Sequence, residues 1–211
     1  MFSGAALGQP VCVRSPPFQD PTSVALLIVD MQRDCMEDGA LGTPGASSII
    51  PITNHYVSQF ANAGAAIYFS RDWQPADHCS FQTQGGRWPV HCVAHTPGAE
   101  FVATLPIPDR AIIVSKGSEA AHEAQSAFEG TALAHLLHER RVRQLWLAGL
   151  TTEHAIRATA LDAQRAGFAV TLLVDAIRSS GDTATAGDHA LREMLGAGVR
   201  AHSWARQSVK Y

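Results

Sequence analysis

Charged and polar residues close several apolar runs of this chain, and their types suit hydrolytic chemistry. The carboxyl ends of parallel strands meet at one edge of a sheet, where open α/β folds place their sites. The residues in question are Asp30, Asp72, Lys116, Thr151 to Ala155, and Asp175. A lysine at the end of the buried run "IIVSK" must find an anion or shift its pKa, and Asp30 could supply that anion. A single aspartate at a strand end is more often a turn or cap residue, so only the convergence of these residues indicates a site.

A long loop between two of the apolar runs, residues 73–104, carries a second group of polar side chains. It contains "DHCSF" and "RWPVHC", and a loop of this length in a compact domain is usually functional. With its flank, the loop supplies Asp72, Gln74, His78 and His91. Aspartate and histidine suit zinc, manganese or iron. Spacing alone leaves open the alternative that the histidines only bind backbone carbonyls and hold the loop.

Alternating apolar and helical segments must position these residues. The apolar runs, rich in Val, Ile and Leu as in strands buried on both faces, are 24–30, 65–72, 111–117, 144–150, 169–175 and 199–204. Helical spacing of Ala and Leu occupies 47–63, 129–140, 153–166 and 183–197. The order predicts an α/β fold: a doubly wound, three-layer α/β/α structure with a mainly parallel sheet of about six strands.

Composition limits the class of protein and its partners. The formal charge of −3 and the lack of a long basic run argue against nucleic acid, and no apolar stretch is long enough to span a membrane. The four cysteines show no CxxC spacing, and no secretory leader is recognisable, so we expect a cytoplasmic protein with free thiols. Residues 1–22, with four prolines, are predicted to form an extended arm, and residues 23–211 a single domain that binds a small molecule.

Six segments, in order along residues 26–163, resemble one protein family. They are "LLIVDMQRD", "RDWQPADHCSF", "WPVHCVAHTPGAEF", "IVSKG", "SAFEGT" and "AGLTTEHAIRATALDA". Together they are similar to the nicotinamidase/pyrazinamidase branch of the isochorismatase-like cysteine hydrolases. The resemblance implies hydrolysis of a small planar primary amide, nicotinamide-like, to the acid and ammonia through a thioester. It implies no organic cofactor, and it implies a homo-oligomer, since this superfamily commonly forms dimers or tetramers.

Carried over position by position, the resemblance assigns catalytic roles. Asp30 would be the general base, Lys116 would hold the thiolate, and position 155 would be the nucleophile. Backbone N–H groups of Thr151 and Ala155 would form the oxyanion hole. The family often has a non-proline cis peptide before it, here between Leu150 and Thr151. A thiol at a helix N-terminus beside an ammonium has a lowered pKa, so these surroundings suit an attacking cysteine.

Ala155 itself departs from the family pattern, which has cysteine at this position. We favour an engineered Cys→Ala replacement, because Asp30 and Lys116, which serve a thiolate, are both present. The first alternative is a natural pseudoenzyme that keeps the pocket for ligand binding. The second is a vinyl-ether hydrolase, since isochorismatases of the superfamily have a small residue here and use the equivalent of Asp30 as an acid.

Further departures affect the metal and the substrate pocket. The family's metal triad is Asp-His-His, whereas this chain offers Asp72, Gln74 and His91, with His78 nearby. An amide oxygen is a weaker ligand than imidazole for a borderline metal, so we expect an empty site or a loosely held ion. Cys35 replaces an aromatic residue that would pack on the substrate, while Trp88 stays to stack on a flat ligand. Leu150 and Phe128 complete the predicted pocket, although Phe128 could equally anchor its own loop.

Overall fold

A six-stranded parallel sheet forms the centre of the molecule in a computed structural model that describes residues 18–181, 183 and 185–204. The strands are β1 (Val24–Val29), β2 (Ala66–Asp72), β3 (Ile112–Lys116), β4 (Gln144–Leu150), β5 (Ala169–Arg178) and β6 (Arg200–His202). Their order across the sheet is β3-β2-β1-β4-β5-β6, and every neighbouring pair is parallel. The predicted α/β fold is confirmed.

Helices cover both faces of this sheet. They are α1 (Ile50–Ala63), α2 (Leu133–Glu139), α3 (Arg157–Arg165) and α4 (Ala186–Gly196). Alternate residues of β1 enter different cores: Leu26 and Ile28 pack with α1 on one face, while Leu27 and Val29 pack with the other three helices on the second face. Burial on both faces explains why the strand is apolar without alternation.

Several predicted boundaries were wrong by a few residues. β5 continues to Arg178, and β6 is shorter than the predicted 199–204. The predicted helix at 47–63 begins as a 3₁₀ turn over Ala46–Ile49, and the predicted helix at 129–140 shortens to α2. In the latter case Thr131 Oγ1 accepts a hydrogen bond from the backbone N–H of Leu133, so residues 129–132 form the helix entry rather than its first turn.

Close approach of β4 to β1 requires glycine at position 149. A Cβ atom on Gly149 would lie 2.1 Å from the carbonyl oxygen of Val29, and the residue has φ of 120°. Any side chain would therefore separate the two central strands whose ends carry Asp30 and Leu150.

The predicted N-terminal arm falls largely outside the described residues, which begin at Phe18. The Phe18 ring packs on Phe60 of α1 with a centroid distance of 4.7 Å, so the chain lies against the core at this point. None of the helices in the described part of the chain has the length and apolar character needed to cross a membrane.

Candidate active site

A cavity opens at the carboxyl ends of the central strands, where the strand order reverses between β1 and β4. It has an accessible volume of about 90 Å³, which suits a small organic molecule. Its walls are formed by Asp30, Cys35, Leu41, Thr43, Asp72, Gln74, Ser80, Trp88, His91, Lys116, Glu123, Ala124, Gln125, Leu150, Thr151, His154, Ala155 and Ser180. The structure thus brings Asp30, Lys116 and Ala155 to one cavity.

Lys116 is the electrostatic centre of this cavity. Its Nζ lies 2.9 Å from Asp30 Oδ2 and 2.6 Å from Asp72 Oδ1, and its side chain is only 2% exposed. Ser70 Oγ donates a 2.7 Å hydrogen bond to the other oxygen of Asp30. Asp30 has φ of 49°, a left-handed conformation that is uncommon for non-glycine residues but more frequent for aspartate than for most. One buried ammonium therefore holds two carboxylates in fixed positions.

The two partners of this ion pair have shifted pKa values. Burial raises the pKa of Asp30 to about 6, and the opposing attraction of Lys116 does not cancel that effect. Burial alone would lower the pKa of Lys116, but the carboxylates of Asp30 and Asp72 outweigh it and raise the pKa. Lys116 is therefore charged at neutral pH, and Asp30 can exchange a proton near neutrality, as a general acid or base must.

Ala155 lies in the segment that joins β4 to α3. The Leu150–Thr151 peptide is cis, as the resemblance predicted. Thr152–Ile156 then form a π turn, in which the N–H of Ile156 donates to the carbonyl of Thr151 at 3.1 Å. Such turns are frequent at functional sites. The predicted helix at 153–166 is thus preceded by an irregular turn, which presents residue 155 to the cavity.

Three of the four predicted metal ligands, Asp72, Gln74 and His91, line the cavity. His91 Nδ1 contacts the carbonyl of Pro89 at 2.8 Å. That oxygen can only accept, so Nδ1 carries the proton and the lone pair of neutral His91 is on Nε2. Gln74 Nε2 lies 3.4 Å from this atom, while buried Gln74 Oε1 has no partner among the described residues. Lys116 already occupies Asp72 Oδ1.

This donor set does not fit a tightly held transition metal. It has one imidazole and one carboxylate that is already paired, and within residues 18–181, 183 and 185–204 no three His, Cys, Asp or Glu side chains form a metal-binding cluster. His78, the other predicted ligand, lies outside the cavity wall. Its ring nitrogens contact Ser80 Oγ at 2.7 Å and the carbonyl of His122 at 3.0 Å, so it holds its loop.

The predicted substrate contacts also divide. Trp88, Cys35 and Leu150 line the cavity. Phe128 is not among the described residues that do so, and its ring packs 6.1 Å from Phe168 in the core beneath α2 and α3. Of the two alternatives for Phe128, the structure therefore agrees with the anchor of its loop.

Glu123 is a wall residue that the sequence did not single out. Its Oε1 accepts a 3.0 Å hydrogen bond from Trp88 Nε1, which orients the indole. The His154 ring lies perpendicular to that indole at 5.1 Å. Glu123 occurs in no pattern that marks it, because it reaches the cavity from a loop whose path the strand pattern does not specify.

Comparison with known proteins agrees with this geometry. An isochorismatase domain model matches residues 24–206. The chain belongs to the isochorismatase family. Within the family it is 30% identical over 202 residues to the nicotinamidase of Escherichia coli, covering 86% of this chain and 95% of that protein. It is 35% identical over 184 residues to the nicotinamidase/pyrazinamidase of Mycobacterium tuberculosis, covering 83% and 96%.

A solved member of the family shares the fold. The pyrazinamidase of Pyrococcus horikoshii, in complex with zinc, superposes with a TM-score of 0.83 at 45% identity, over 86% of this chain and 99% of that one. The resemblance drawn from the six sequence segments is thereby confirmed, including its nicotinamidase side. Amide hydrolysis is the activity that these relatives' names describe.

Proposed function

We propose that the cavity binds a small planar primary amide and that its machinery is that of a cysteine amidohydrolase whose nucleophile position holds Ala155. The observation that carries the proposal is the buried Lys116–Asp30 pair, 2.9 Å apart, in the same cavity as residue 155. An ammonium beside a carboxylate at that place serves a thiol that must lose its proton. We interpret Ala155 as a replacement of that thiol.

With cysteine at position 155, the residues would act in sequence. Asp30 would take the thiol proton, and the sulfur would attack the amide carbonyl. Backbone N–H groups of Thr151 and residue 155 would stabilise the oxyanion. Asp30 would return the proton to the amide nitrogen as the C–N bond breaks, releasing ammonia and leaving a thioester. Water, deprotonated by Asp30, would then cleave the thioester to the acid and restore the thiol.

The second candidate function is ligand binding without turnover. The alanine at position 155 favours it, because a methyl group cannot attack the ligand. Trp88 is fixed by Glu123 at 3.0 Å and can stack on a flat ring. The cavity wall retains its polar groups, and alanine adds no bulk. A ligand amide therefore still has its contacts in the absence of the nucleophile.

Charge argues against the vinyl-ether alternative. The wall carries three carboxylates, Asp30, Asp72 and Glu123, and one ammonium, that of Lys116, and it includes no arginine among its described residues. Isochorismate carries two carboxylates, whereas the Lys116 ammonium is already paired with Asp30 and Asp72, so neither carboxylate of the ligand would gain a cation that is not shared. The raised pKa of Asp30 fits both a general acid and a general base, so it does not distinguish the two reactions. The charge of the cavity wall does, because it favours a neutral amide over a dianion.

We expect the chain as it stands to bind nicotinamide at least about tenfold more tightly than nicotinate at pH 8. The two ligands share a ring and differ in charge, and a carboxylate placed beside Asp30 and Asp72 costs at least 1.4 kcal/mol, about a factor of ten. Titration calorimetry measures both affinities, with Glu123→Gln as the control that narrows the difference. Equal or tighter binding of nicotinate would contradict a cavity selective for neutral amides.

For the metal, we propose that this chain holds a divalent ion loosely at most. The zinc-bound pyrazinamidase of P. horikoshii makes such a site plausible in the family, while Gln74 supplies an amide in place of an imidazole. The chain's own residues, Asp72 and His91, would hold the ion.

Exchanging Gln74 for histidine is expected to raise zinc affinity at least about tenfold, because it restores a strong donor beside His91, and even outer-shell partners shift metal affinity 10–100-fold. Calorimetry with zinc chloride on metal-free protein measures the change. The matched control is Gln74→Glu, which adds a donor of different shape and charge. Tight zinc binding by the unchanged chain would contradict the proposal that Gln74 weakens metal binding.

A further inference from the structure

One carboxylate oxygen joins the turn that carries Ala155 to the segment that follows β5. Glu153 Oε1 accepts three hydrogen bonds: from Ser179 Oγ at 2.6 Å, from Ser180 Oγ at 2.7 Å and from the backbone N–H of Ser180 at 2.9 Å. Glu153 is the second residue of the π turn Thr152–Ile156, and Ala155 is the fourth. Ser180 lines the cavity, as Ala155 does. These three hydrogen bonds, the Glu153 link, therefore connect the turn of residue 155 with a second part of the cavity wall.

The far end of the Glu153 link is itself held in place. A Cβ atom on Gly187 of α4 would lie 2.9 Å from Ser179 Oγ, so the backbone of that helix packs directly on the serine side chain. Arg178 Nη2 donates a 2.8 Å hydrogen bond to Ser48 Oγ, on the other side of the segment. The donors of the link thus belong to a segment with its own anchors, and this is why Glu153 can hold the turn against it.

The helix that follows the turn has separate contacts. Arg157 of α3 pairs with Glu193 of α4 at 2.7 and 2.8 Å. Thr159 Oγ1, also on α3, accepts a 2.9 Å hydrogen bond from the backbone N–H of Ala127. Loss of the Glu153 link would therefore leave α3 docked on its neighbours and release only the turn before it.

We propose that Glu153 is a positioning residue, which sets where the side chain of residue 155 stands relative to Asp30 and Lys116. The inference rests on the proposed amide hydrolysis, because only a nucleophile at position 155 needs that placement. A reacting group displaced by about 1 Å loses about 10²-fold in rate. Glu153 is not among the described residues of the cavity wall, so it acts through residue 155 and not on the ligand.

The test compares three changes at Glu153 in the Ala155→Cys background. Glu153→Ala removes the link and should lower kcat for nicotinamide about 10–100-fold, while KM should change little because the wall segment keeps its own anchors. Glu153→Gln should retain most of kcat. It keeps an oxygen for the three donors and places its nitrogen at the position of Oε2, a buried atom without a partner in the described part of the chain. Glu153→Asp keeps the charge but withdraws the oxygens by about 1.5 Å, and should behave like the alanine variant.

Two matched changes separate the link from general packing. Glu193→Ala breaks the pair between α3 and α4, away from the described cavity wall, and should lower the urea midpoint of unfolding without lowering kcat. Ser179→Ala removes one donor of the link from a residue that is also outside the described wall. It should lower kcat less than Glu153→Ala does, and it should cause no further loss when the two are combined.

Alkylation of the introduced thiol by iodoacetamide, followed by peptide mapping, gives a readout that does not need amide turnover. Its rate depends on the placement of the thiol beside Lys116. Slower alkylation with Glu153→Ala but not with Glu153→Gln would support the positioning role even if no variant released ammonia, and the amidase proposal alone would then be wrong.

Three results would overturn the positioning role. They are an unchanged kcat and alkylation rate with Glu153→Ala, an active aspartate variant beside an inactive glutamine variant, and an equal loss of kcat with Glu193→Ala. If Glu153→Ala does not fold, Ser179→Ala decides the matter, because an unchanged kcat and alkylation rate in that variant would contradict the proposal.

Discussion

Ala155→Cys is expected to raise ammonia release from nicotinamide by at least about 10³-fold over the chain as it stands. Members of a catalytic set that act together lose most of their effect when one is absent, and the chain already holds Asp30 and Lys116 at 2.9 Å. Without a nucleophile these groups can only orient water. The measurement is ammonia release at saturating amide, together with intact-mass detection of the acyl group on the new cysteine.

Controls separate the thiol from other changes at this position. Ala155→Ser adds a hydroxyl, which is similar in size to a thiol but is a weaker nucleophile and a poorer leaving group. The serine variant should therefore show little of the increase in ammonia release. Asp30→Asn in the cysteine background should remove it. Because burial raises the pKa of Asp30 to about 6, kcat/KM should fall about tenfold per pH unit below that value as the base becomes protonated. An acid limb near pH 4 would indicate an unshifted carboxyl.

Failure would have a definite meaning. If the cysteine variant releases no ammonia from a panel of planar primary amides while the unchanged chain cleaves isochorismate, Asp30 acts as an acid on a vinyl ether and the amidase proposal is wrong. If neither reaction occurs but nicotinamide binds, the cavity is a binding site, and the changes at Gln74 and Cys35 as well as Ala155 belong to that function.

The convergence of Asp30, Lys116 and Ala155 could be predicted because parallel topology makes it nearly obligatory. Apolar runs buried on both faces identify strands, and all their carboxyl ends meet at one edge. The resemblance then supplied what topology cannot, the cis peptide at Leu150–Thr151 and the family itself. Neither depended on where the loops run.

The side-chain contacts of the site that the sequence did not predict involve residues in loops. His78 has the residue type of a metal ligand, yet both its ring nitrogens hold loop atoms, and nothing in spacing distinguishes the two uses. Phe128 also lies in a loop, and its spacing in the sequence does not show that its ring packs against the core beside Phe168. Asp72 can be expected near Lys116, because β2 and β3 are neighbouring strands and end side by side. Only the 2.6 Å distance between Lys116 Nζ and Asp72 Oδ1 shows that this oxygen is already paired and is therefore a poorer metal ligand.

Lys116→Met should destabilise the fold by about 3–5 kcal/mol at pH 8, because it leaves Asp30 and Asp72 buried without their cation, and an uncompensated buried charge costs that much. Methionine keeps most of the volume, so the loss reports charge rather than packing. Urea unfolding followed by circular dichroism measures it. The deficit should shrink as the pH falls from 8 toward 5, since loss of the ammonium raises the pKa of Asp30 further and protonation then removes the uncompensated charge. Adding Asp30→Asn to Lys116→Met should recover part of the stability, whereas a simple sum of the two single losses would show that the ion pair does not act as a unit.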